Sequence, residues 1–188
     1  MPAILLTGPA AEPLTLAEAK AYLRVDHDAE DALIGAMITA ARATVEALTR
    51  RVLIDQGWRI LRDAWPVSGL IPLPVNPLRA VTSAHVLDAV GAEIAVPLAA
   101  LTADVARLPG LIRVDRAGVP APGRALAGIA IDVTAGHGAG ADHVPSPLIE
   151  AVRVVLAHFY EHRDVPGAGA AFPARLDALV APFRVTRL

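Results

Sequence analysis

The hydrophobic period of this chain changes twice, and that pattern strongly limits the folds open to it. From residue 29 to about residue 50, apolar side chains recur at steps of three and four, as on the buried face of a helix. After Ile54, glycine and proline become frequent, and short runs with strand character replace the helical period. The helical period returns at Ser146-Pro147, a capping residue followed by proline at the first helical position. The sequence therefore predicts a helical core interrupted by a β insertion.

Two of the predicted helices have recognisable start signals. Thr15 and Glu18 have the spacing of a capping box, in which each side chain bonds the backbone N–H of the other residue. Asp28 and Asp31 stand in the turn before the long second helix, so we expect them to open that helix. The four predicted helices cover residues 15–24, 29–50, 146–163 and 173–182.

The middle of the chain contains six short runs with strand character. Short strands at such close spacing favour a small antiparallel sheet or a barrel-like β domain over parallel βαβ units. The predicted fold class is therefore α+β, a small core of about four helices with an antiparallel β insertion. The runs cover residues 57–63, 70–73, 78–88, 92–96, 111–115 and 128–134. The predicted single domain of residues 1–188 divides into a helical core (14–54 and 146–163), a β insertion (55–135) and a C-terminal linker and tail (164–188).

Composition excludes several classes of protein. With 54% hydrophobic and 19% charged residues, the chain has ample material for a core and is not a disordered protein. The absence of cysteine excludes disulfides, thiolate metal sites and cysteine nucleophiles. A net charge of -2 and a pI near 6.3 argue against a protein that holds nucleic acid through many phosphate contacts. We expect no signal peptide and no membrane partner, because no uninterrupted apolar run reaches the roughly 18 residues that span a bilayer.

One motif has the pattern of a catalytic metal site. His158, Glu161 and His162 match the H-x-x-E-H pattern of inverted zinc peptidases, in which two histidines share one helix face and the glutamate acts as a base. No glutamate follows Glu161 to supply the third ligand of that pattern. A metal-dependent hydrolase using these three residues is the alternative function. The simpler interpretation is a solvated or interface-facing helix end, where histidine also suits the helix dipole.

Other catalytic and binding motifs are weaker. His137, Asp142 and His143 lie in a glycine-rich loop and could complete a metal site, although such residues beside glycines more often form turns. The glycines of this loop are not followed by the Gly-Lys-Ser/Thr of a phosphate loop, and none of the three serines lies in a Gly-x-Ser-x-Gly elbow. The first two helices are too acidic and too apolar for a DNA-reading helix-turn-helix. We therefore expect no catalytic residue, no metal ligand and no cofactor.

The order of the segments resembles the head–tail connector family of tailed bacteriophages, over nearly the whole chain from about Leu14 to Arg184. No single segment is specific, but their order and spacing together are. The segments that carry the resemblance are Thr15-Leu-Ala-Glu-Ala-Lys-Ala-Tyr-Leu-Arg-Val-Asp, Asp28-Ala-Glu-Asp-Ala-Leu-Ile, Ala40-Ala-Arg-Ala-Thr-Val-Glu-Ala-Leu-Thr, Leu53-Ile-Asp-Gln-Gly-Trp-Arg-Ile, Pro74-Val-Asn-Pro-Leu-Arg-Ala-Val-Thr-Ser, Val133-Thr-Ala-Gly-His-Gly, Val144-Pro-Ser-Pro-Leu, His158-Phe-Tyr-Glu-His-Arg and Leu179-Val-Ala-Pro-Phe-Arg.

The resemblance implies a structural virion protein rather than an enzyme. Members of that family are adaptors in the virion neck, made in the bacterial cytoplasm, and related sets occur in prophages and in gene transfer agents. The implied partners are the portal protein, a tail-side connector or stopper protein, and further copies of the chain in a ring of twelve. DNA would pass through the lumen of that ring without specific binding, and a near-neutral chain is compatible with this.

The C-terminal segment is the predicted portal contact. It follows a short glycine- and alanine-rich linker and presents apolar side chains on one helix face, which would suit docking into an apolar groove, with arginines pairing at its rim. The alternative is that this helix folds back and completes the core of its own subunit. The candidate contact residues are Phe172, Leu176, Leu179, Val180, Phe183, Arg184, Arg187 and Leu188.

Overall fold

A computed structural model of the chain describes residues 2–162 and 171–184. Over these residues it has the predicted α+β class, and every strand pairing is antiparallel. The helices are α1 (Leu16–Leu23), α2 (Asp31–Thr49), α3 (Ser146–Glu161) and α4 (Ala174–Val180). The strands are β1 (Ala3–Thr7), β2 (Gln56–Arg62), β3 (Leu70–Pro72), β4 (Leu78–Leu87), β5 (Glu93–Ala95), β6 (Leu101–Asp104), β7 (Leu111–Val114) and β8 (Ile129–Ala135).

The chain forms two compact units. Among the described residues, the β unit consists of residues 2–9 and 55–137, and the helical unit consists of residues 10–54, 138–162 and 171–184. Of the three crossings from one unit to the other, those after residues 54 and 137 lie close to the changes of hydrophobic period in the sequence, and the one after residue 9 does not.

The helical unit is held together by one apolar core. The faces of α2 and α3 that carry the three- and four-residue period meet there, and α1 and α4 add side chains to the same core. Small residues such as Ala19, Ala41 and Ala151 are fully buried, which lets the helices approach closely. The large buried side chains are Ile34 and Ile38 of α2, Leu148, Val152, Val155 and Leu156 of α3, and Leu176 and Val180 of α4.

The start of α1 follows the sequence prediction, whereas the starts of α2 and α3 differ from it. Glu18 accepts the backbone N–H of Thr15 at 2.9 Å, and Thr15 Oγ1 accepts that of Glu18 at 3.2 Å, so the capping box is present. Asp28 and Asp31 do not cap α2. Their carboxylates instead bind Lys20 Nζ, at 2.6 and 2.7 Å, and so tie α1 to the start of α2.

The helix α3 begins at Ser146, the first residue of the predicted range, but Ser146 is not the capping residue. Its N-cap is Pro145, and Ser146 is already helical, so the serine side chain does not cap the helix. The proline in the first turn remains compatible with the helix because no backbone N–H is needed there.

A buried arginine organises the polar side of α2. Arg42 is 8% exposed, and it donates to Glu12 at 2.8 Å and to Glu46 at 2.7 Å. The other carboxylate oxygen of Glu46 accepts the backbone N–H of Leu53 at 2.9 Å. These bonds fix the segments before α1 and after α2 against the same helix, and they satisfy a charge that would otherwise be costly to bury.

The helix α2 is long and apolar enough to cross a bilayer, judged by length and composition alone, with a mean hydropathy of 1.3. This departs from the expectation that no such segment exists, because that expectation considered only uninterrupted apolar runs. The buried face of α2 belongs to the core of the helical unit, and Arg42 and Glu46 lie in the middle and last part of the helix. A core helix satisfies the same criterion as a membrane span, and α2 has the contacts of a core helix.

The β unit contains two antiparallel sheets. The strand orders are β1-β2-β8-β4-β5 in the larger sheet and β3-β7-β6 in the smaller one. Ile60, Ile112 and Ile131 are fully buried, as expected for strands that hide one apolar face. Six of the strands correspond to predicted runs, but β1 and β6 were not predicted. The strand β1 pairs with β2, so the first residues of the chain belong to the β unit.

An ion pair connects three neighbouring strands of the larger sheet. Arg59 of β2 donates from Nε and Nη2 to the two carboxylate oxygens of Asp132 on β8, at 2.7 and 2.8 Å. Ser83 of β4 donates to the same carboxylate at 2.9 Å. The hydrogen bonds from Arg59 lower the pKa of Asp132 below its ordinary value, and that from Ser83 adds to the effect. This pair fixes the register of β2, β8 and β4.

Candidate functional site

The C-terminal segment, residues 171–184, is the predicted contact surface, and its helix α4 is built onto the core. Pro173 precedes α4 in an extended conformation, which suits the start of a helix. Leu176 and Val180 are four residues apart and therefore share one helix face. They are 2% and 0% exposed, among the core residues of the helical unit. Leu179 and Phe183 are partly buried against the same core.

Polar contacts on both sides of α4 hold the segment in place. Arg175 donates to Glu150 of α3 at 2.6 Å. Arg51, just after α2, donates from Nε to the backbone oxygen of Phe183 at 2.8 Å, and its guanidinium lies 5.5 Å from the centre of the Phe183 ring. Burial lowers the pKa of Arg51 below its ordinary value. The sequence gives no local signal for Arg51, because its partner lies 132 residues away.

The predicted portal-contact residues therefore divide into three groups within the described residues, and two further residues lie outside them. Leu176 and Val180 are in the core, so they are not available to a partner while the helical unit is intact, and the alternative of a helix that folds back describes them. Phe172 is 37% exposed, and Arg184 is exposed but already donates to Asp177 of its own helix at 2.6 Å. Leu179 and Phe183 are intermediate. Arg187 and Leu188 lie outside the described residues.

The H-x-x-E-H motif contains two histidines whose rings pack against neighbouring rings. His158 is 9% exposed, and its ring lies 4.4 Å from that of His162 and 4.9 Å from that of Phe172, measured between centroids. The Nδ1–H of His162 donates to the backbone oxygen of His158 at 2.9 Å. Glu161 is exposed. The two histidine rings thus pack against each other at a tilt, His158 also packs against Phe172, and one ring nitrogen of His162 is already used by the backbone.

The glycine-rich loop does not assemble a metal site either. His143 Nδ1 lies 3.1 Å from Asp142 Oδ1, and both side chains are more than half exposed to solvent. His137 belongs to the β unit, whereas Asp142 and His143 belong to the helical unit. Across residues 2–162 and 171–184, no three His, Asp or Glu side chains are grouped so that they could hold a metal ion. The geometry therefore does not favour the metal-dependent hydrolase.

The sequence and the fold of the chain are both similar to those of known proteins. Residues 13–87 match the family model described as phage gp6-like head-tail connector protein. The chain is also similar over its full length to a chain in a structure described as the neck of an empty GTA particle computed with C6 symmetry. That match has 33% identity, a TM-score of 0.82, and coverage of 100% of this chain and 97% of the other. The chain belongs to the phage head–tail connector family.

Two further structures agree with this membership. A chain from the virion of a native gene transfer agent (GTA) particle is 30% identical with a TM-score of 0.83, and one from the neck of a native GTA particle computed with C12 symmetry is 31% identical with a TM-score of 0.81. Both matches cover 100% of this chain and 97% of the other. A comparison with curated proteins gives no match. The prediction of a structural head–tail connector is therefore confirmed. Portal contact by the C-terminal segment stays a prediction.

Proposed function

We propose that this connector forms a ring in the neck of a phage-like particle, between the portal and the first tail-side protein. The observation that carries the proposal is the match over the full length of the chain with chains from gene transfer agent particles, two of them from necks, at 30 to 33% identity. A connector of this kind acts by binding neighbouring proteins in an assembly, so it needs contact surfaces rather than a catalytic centre. The proposed role is accordingly structural and not enzymatic.

The proposed ring has twelve subunits. Necks of related particles were computed with C12 and with C6 symmetry, and a twelvefold ring satisfies both because sixfold rotations are a subset of twelvefold ones. A cyclic ring uses heterologous contacts, in which two different surfaces of each subunit meet. Each copy must therefore offer one surface to the preceding neighbour and another to the next.

The charge of the connector suits a channel through which DNA slides. Between residues 12 and 50 there are seven acidic and four basic side chains, and the whole chain has a net charge of -2. Proteins that hold DNA tightly neutralise many phosphates with lysine and arginine, and they lose affinity steeply as salt rises. A ring of these subunits would pass DNA without binding it strongly.

Portal contact remains a proposal for the exposed part of the C-terminal segment. Because Leu176 and Val180 are in the core, a portal would meet Phe172 and the outward side of α4 instead. Phe172 packs on His158 while leaving 37% of its surface exposed, so it offers an apolar contact on a supported base. Replacing Phe172 by serine tests this contact, with Leu33→Ser as a matched control, since Leu33 is 40% exposed in the same unit.

Cryo-electron microscopy of the particle neck tests the proposed function directly. The expected result is a ring of twelve copies touching the portal on one side and a tail-side protein on the other. Finding the chain only in the capsid shell or at the tail tip would refute the proposal. For the portal contact, we expect Phe172→Ser to reduce co-sedimentation with the portal by about tenfold, the size of one lost apolar anchor, while Leu33→Ser leaves it unchanged. Equal binding by both variants would place the contact elsewhere.

A further inference from the structure

The first strand of the β unit is apolar, and both of its faces are only partly covered. Ile4, Leu5 and Leu6 are consecutive, and they are 46%, 49% and 48% exposed. Successive side chains of a strand point to opposite faces, so exposure of three in a row means that both faces of β1 meet solvent. Strands that are apolar on both faces are normally covered on both faces, whereas strands with one solvated face alternate polar and apolar residues, so an exposed strand of this kind marks an interaction site.

The outer edge of β1 is also open. The strand is the terminal one in the order β1-β2-β8-β4-β5, and among the described residues only β2 pairs with it. Soluble proteins usually protect an edge strand with charged residues or a bulge, because its unpaired backbone groups attract other chains. The five residues Ala-Ile-Leu-Leu-Thr of β1 include no charge. A bulge between Leu5 and Thr7 is the one protective feature within this strand, and it lies at the C-terminal end of β1.

A cavity continues this surface at the start of β1. It has a volume of about 450 Å³ and is lined by Pro2, Trp65, Pro66 and Val67 among others. Pro2 immediately precedes β1, and its backbone oxygen accepts the N–H of Leu61 at 3.2 Å, so the cavity and the strand are contiguous. Val67 is 88% exposed at the mouth of the cavity. The lining also includes the charged residues Arg62 and Asp63. An open strand edge beside a pocket of mixed apolar and charged lining is an arrangement that binds an extended segment of another chain.

We propose that β1 and this cavity, together the β1 surface, form one half of the contact between neighbouring copies in the ring. This inference rests on the proposed ring. Permanent contacts between identical subunits combine an apolar centre with a more polar rim. The β1 surface has this composition, because its five strand residues are uncharged and its charged residues, Arg62 and Asp63, lie in the cavity lining. Neighbours in a twelvefold ring differ by a rotation of only about 30°, whereas pairing of β1 with β1 needs a twofold axis. The β1 surface therefore meets a different surface of the next copy.

Photo-crosslinking in assembled particles tests this contact. The probe is p-benzoylphenylalanine in place of Leu5, and the matched control has it in place of Leu108, which is 47% exposed in the same unit. We expect irradiation of the Leu5 probe to give a ladder of multimers of this chain, with the linked residue outside β1. Links from Leu5 only to another protein, only to β1 of another copy, or to nothing would each overturn the inference. A ladder from the Leu108 probe alone would do so as well.

A pair of charge substitutions gives an independent measurement. We expect Leu5→Glu to lower the amount of connector in purified necks at least tenfold, because a carboxylate would be buried at the contact, and Leu108→Glu to leave it unchanged. If circular dichroism shows that Leu5→Glu is unfolded, Leu5→Thr, which keeps the strand propensity, is used, and a severalfold loss is expected. Equal incorporation of the Leu5 and Leu108 variants would refute the contact. Absence of the wild-type chain from the neck would instead refute the proposed function.

Discussion

Replacing Leu176 by alanine measures how far α4 belongs to the core of the helical unit. The side chain is 2% exposed and lies among the core residues contributed by α2 and α3. Leucine-to-alanine changes at buried sites cost about 2–5 kcal/mol, the sum of lost transfer free energy and the cavity that remains. Because α4 lies near the end of the chain and can relax inward, we expect about 3 kcal/mol. That is a large part of the roughly 5–15 kcal/mol by which domains are stable.

Urea denaturation followed by circular dichroism at 222 nm is a suitable assay, because the helices report on the helical unit. Both tryptophans, Trp58 and Trp65, lie in the β unit, so their fluorescence follows that unit separately. With a slope of about 1.5 kcal/mol per molar urea, the helical transition of Leu176→Ala should shift down by about 2 M. Arg175→Ala is the control, since it removes only a surface ion pair worth less than about 1 kcal/mol. A Leu176→Ala midpoint equal to that of the control would refute the placement of α4 in the core.

Three further predictions follow from local geometry. Asp132→Asn should destabilise the β unit by about 1–2 kcal/mol at neutral pH, because Arg59 loses its carboxylate partner. Because the pKa of Asp132 is lowered in the folded state, its carboxylate stabilises the wild type at pH values above the pKa of about 4 that Asp has in the unfolded chain. This contribution is lost as the pH falls further, so tryptophan-monitored unfolding should be less acid-sensitive in the variant. Arg24→Gly should raise stability by about 0.5–1 kcal/mol in thermal melts, because Arg24 has a φ of 60° at the end of α1. The purified chain should contain no stoichiometric zinc by elemental analysis, and His158→Ala should cost about 1–2 kcal/mol by loss of packing.

Each of these predictions has a result that would contradict it. Unchanged acid sensitivity in Asp132→Asn would mean that the Arg59 pair does not set the pH response. A gain of stability in Arg24→Ala as large as in Arg24→Gly would attribute the effect to side-chain loss rather than to backbone conformation. One zinc per chain that is lost in both His158→Ala and His162→Ala would contradict this prediction and support the metal-dependent hydrolase.

The sequence predicted the elements whose signal is local. The helices were found from their three- and four-residue period and the capping box at Thr15, and six strands from short alternating or β-branched runs. The strand β1 was missed because its five residues do not alternate, and β6 was missed because its four residues, although they alternate, are too short a run to stand out. What makes β1 a strand is pairing with β2, more than fifty residues later in the chain. Such a non-local partner leaves no mark in the segment itself.

The same limit explains the departures at Asp28 and Asp31. Capping propensity is a local preference, whereas Lys20, which binds both carboxylates, lies eight and eleven residues earlier in the chain, outside the reach of a capping pattern. For α4, the sequence identified an apolar face and left two possible partners for it, the portal and the core of its own subunit, and in the structure Leu176 and Val180 of that face lie in the core. An apolar helix face has the same spacing whether it covers its own core or a partner, so periodicity alone does not identify what covers it.

The position of α4 changes what portal docking by this connector requires. If Leu176 and Val180 had to enter a portal groove, α4 would first leave the core, at a cost of several kcal/mol for two fully buried aliphatic side chains. A contact made through Phe172 and the outward side of α4 has no such cost, because those atoms are already exposed. The core-bound face then works as a rigid support that holds the contact surface in one conformation, which reduces the entropy lost on binding. A connector with a preformed docking face would therefore bind the portal at lower free-energy cost than one that must first detach a helix from its core.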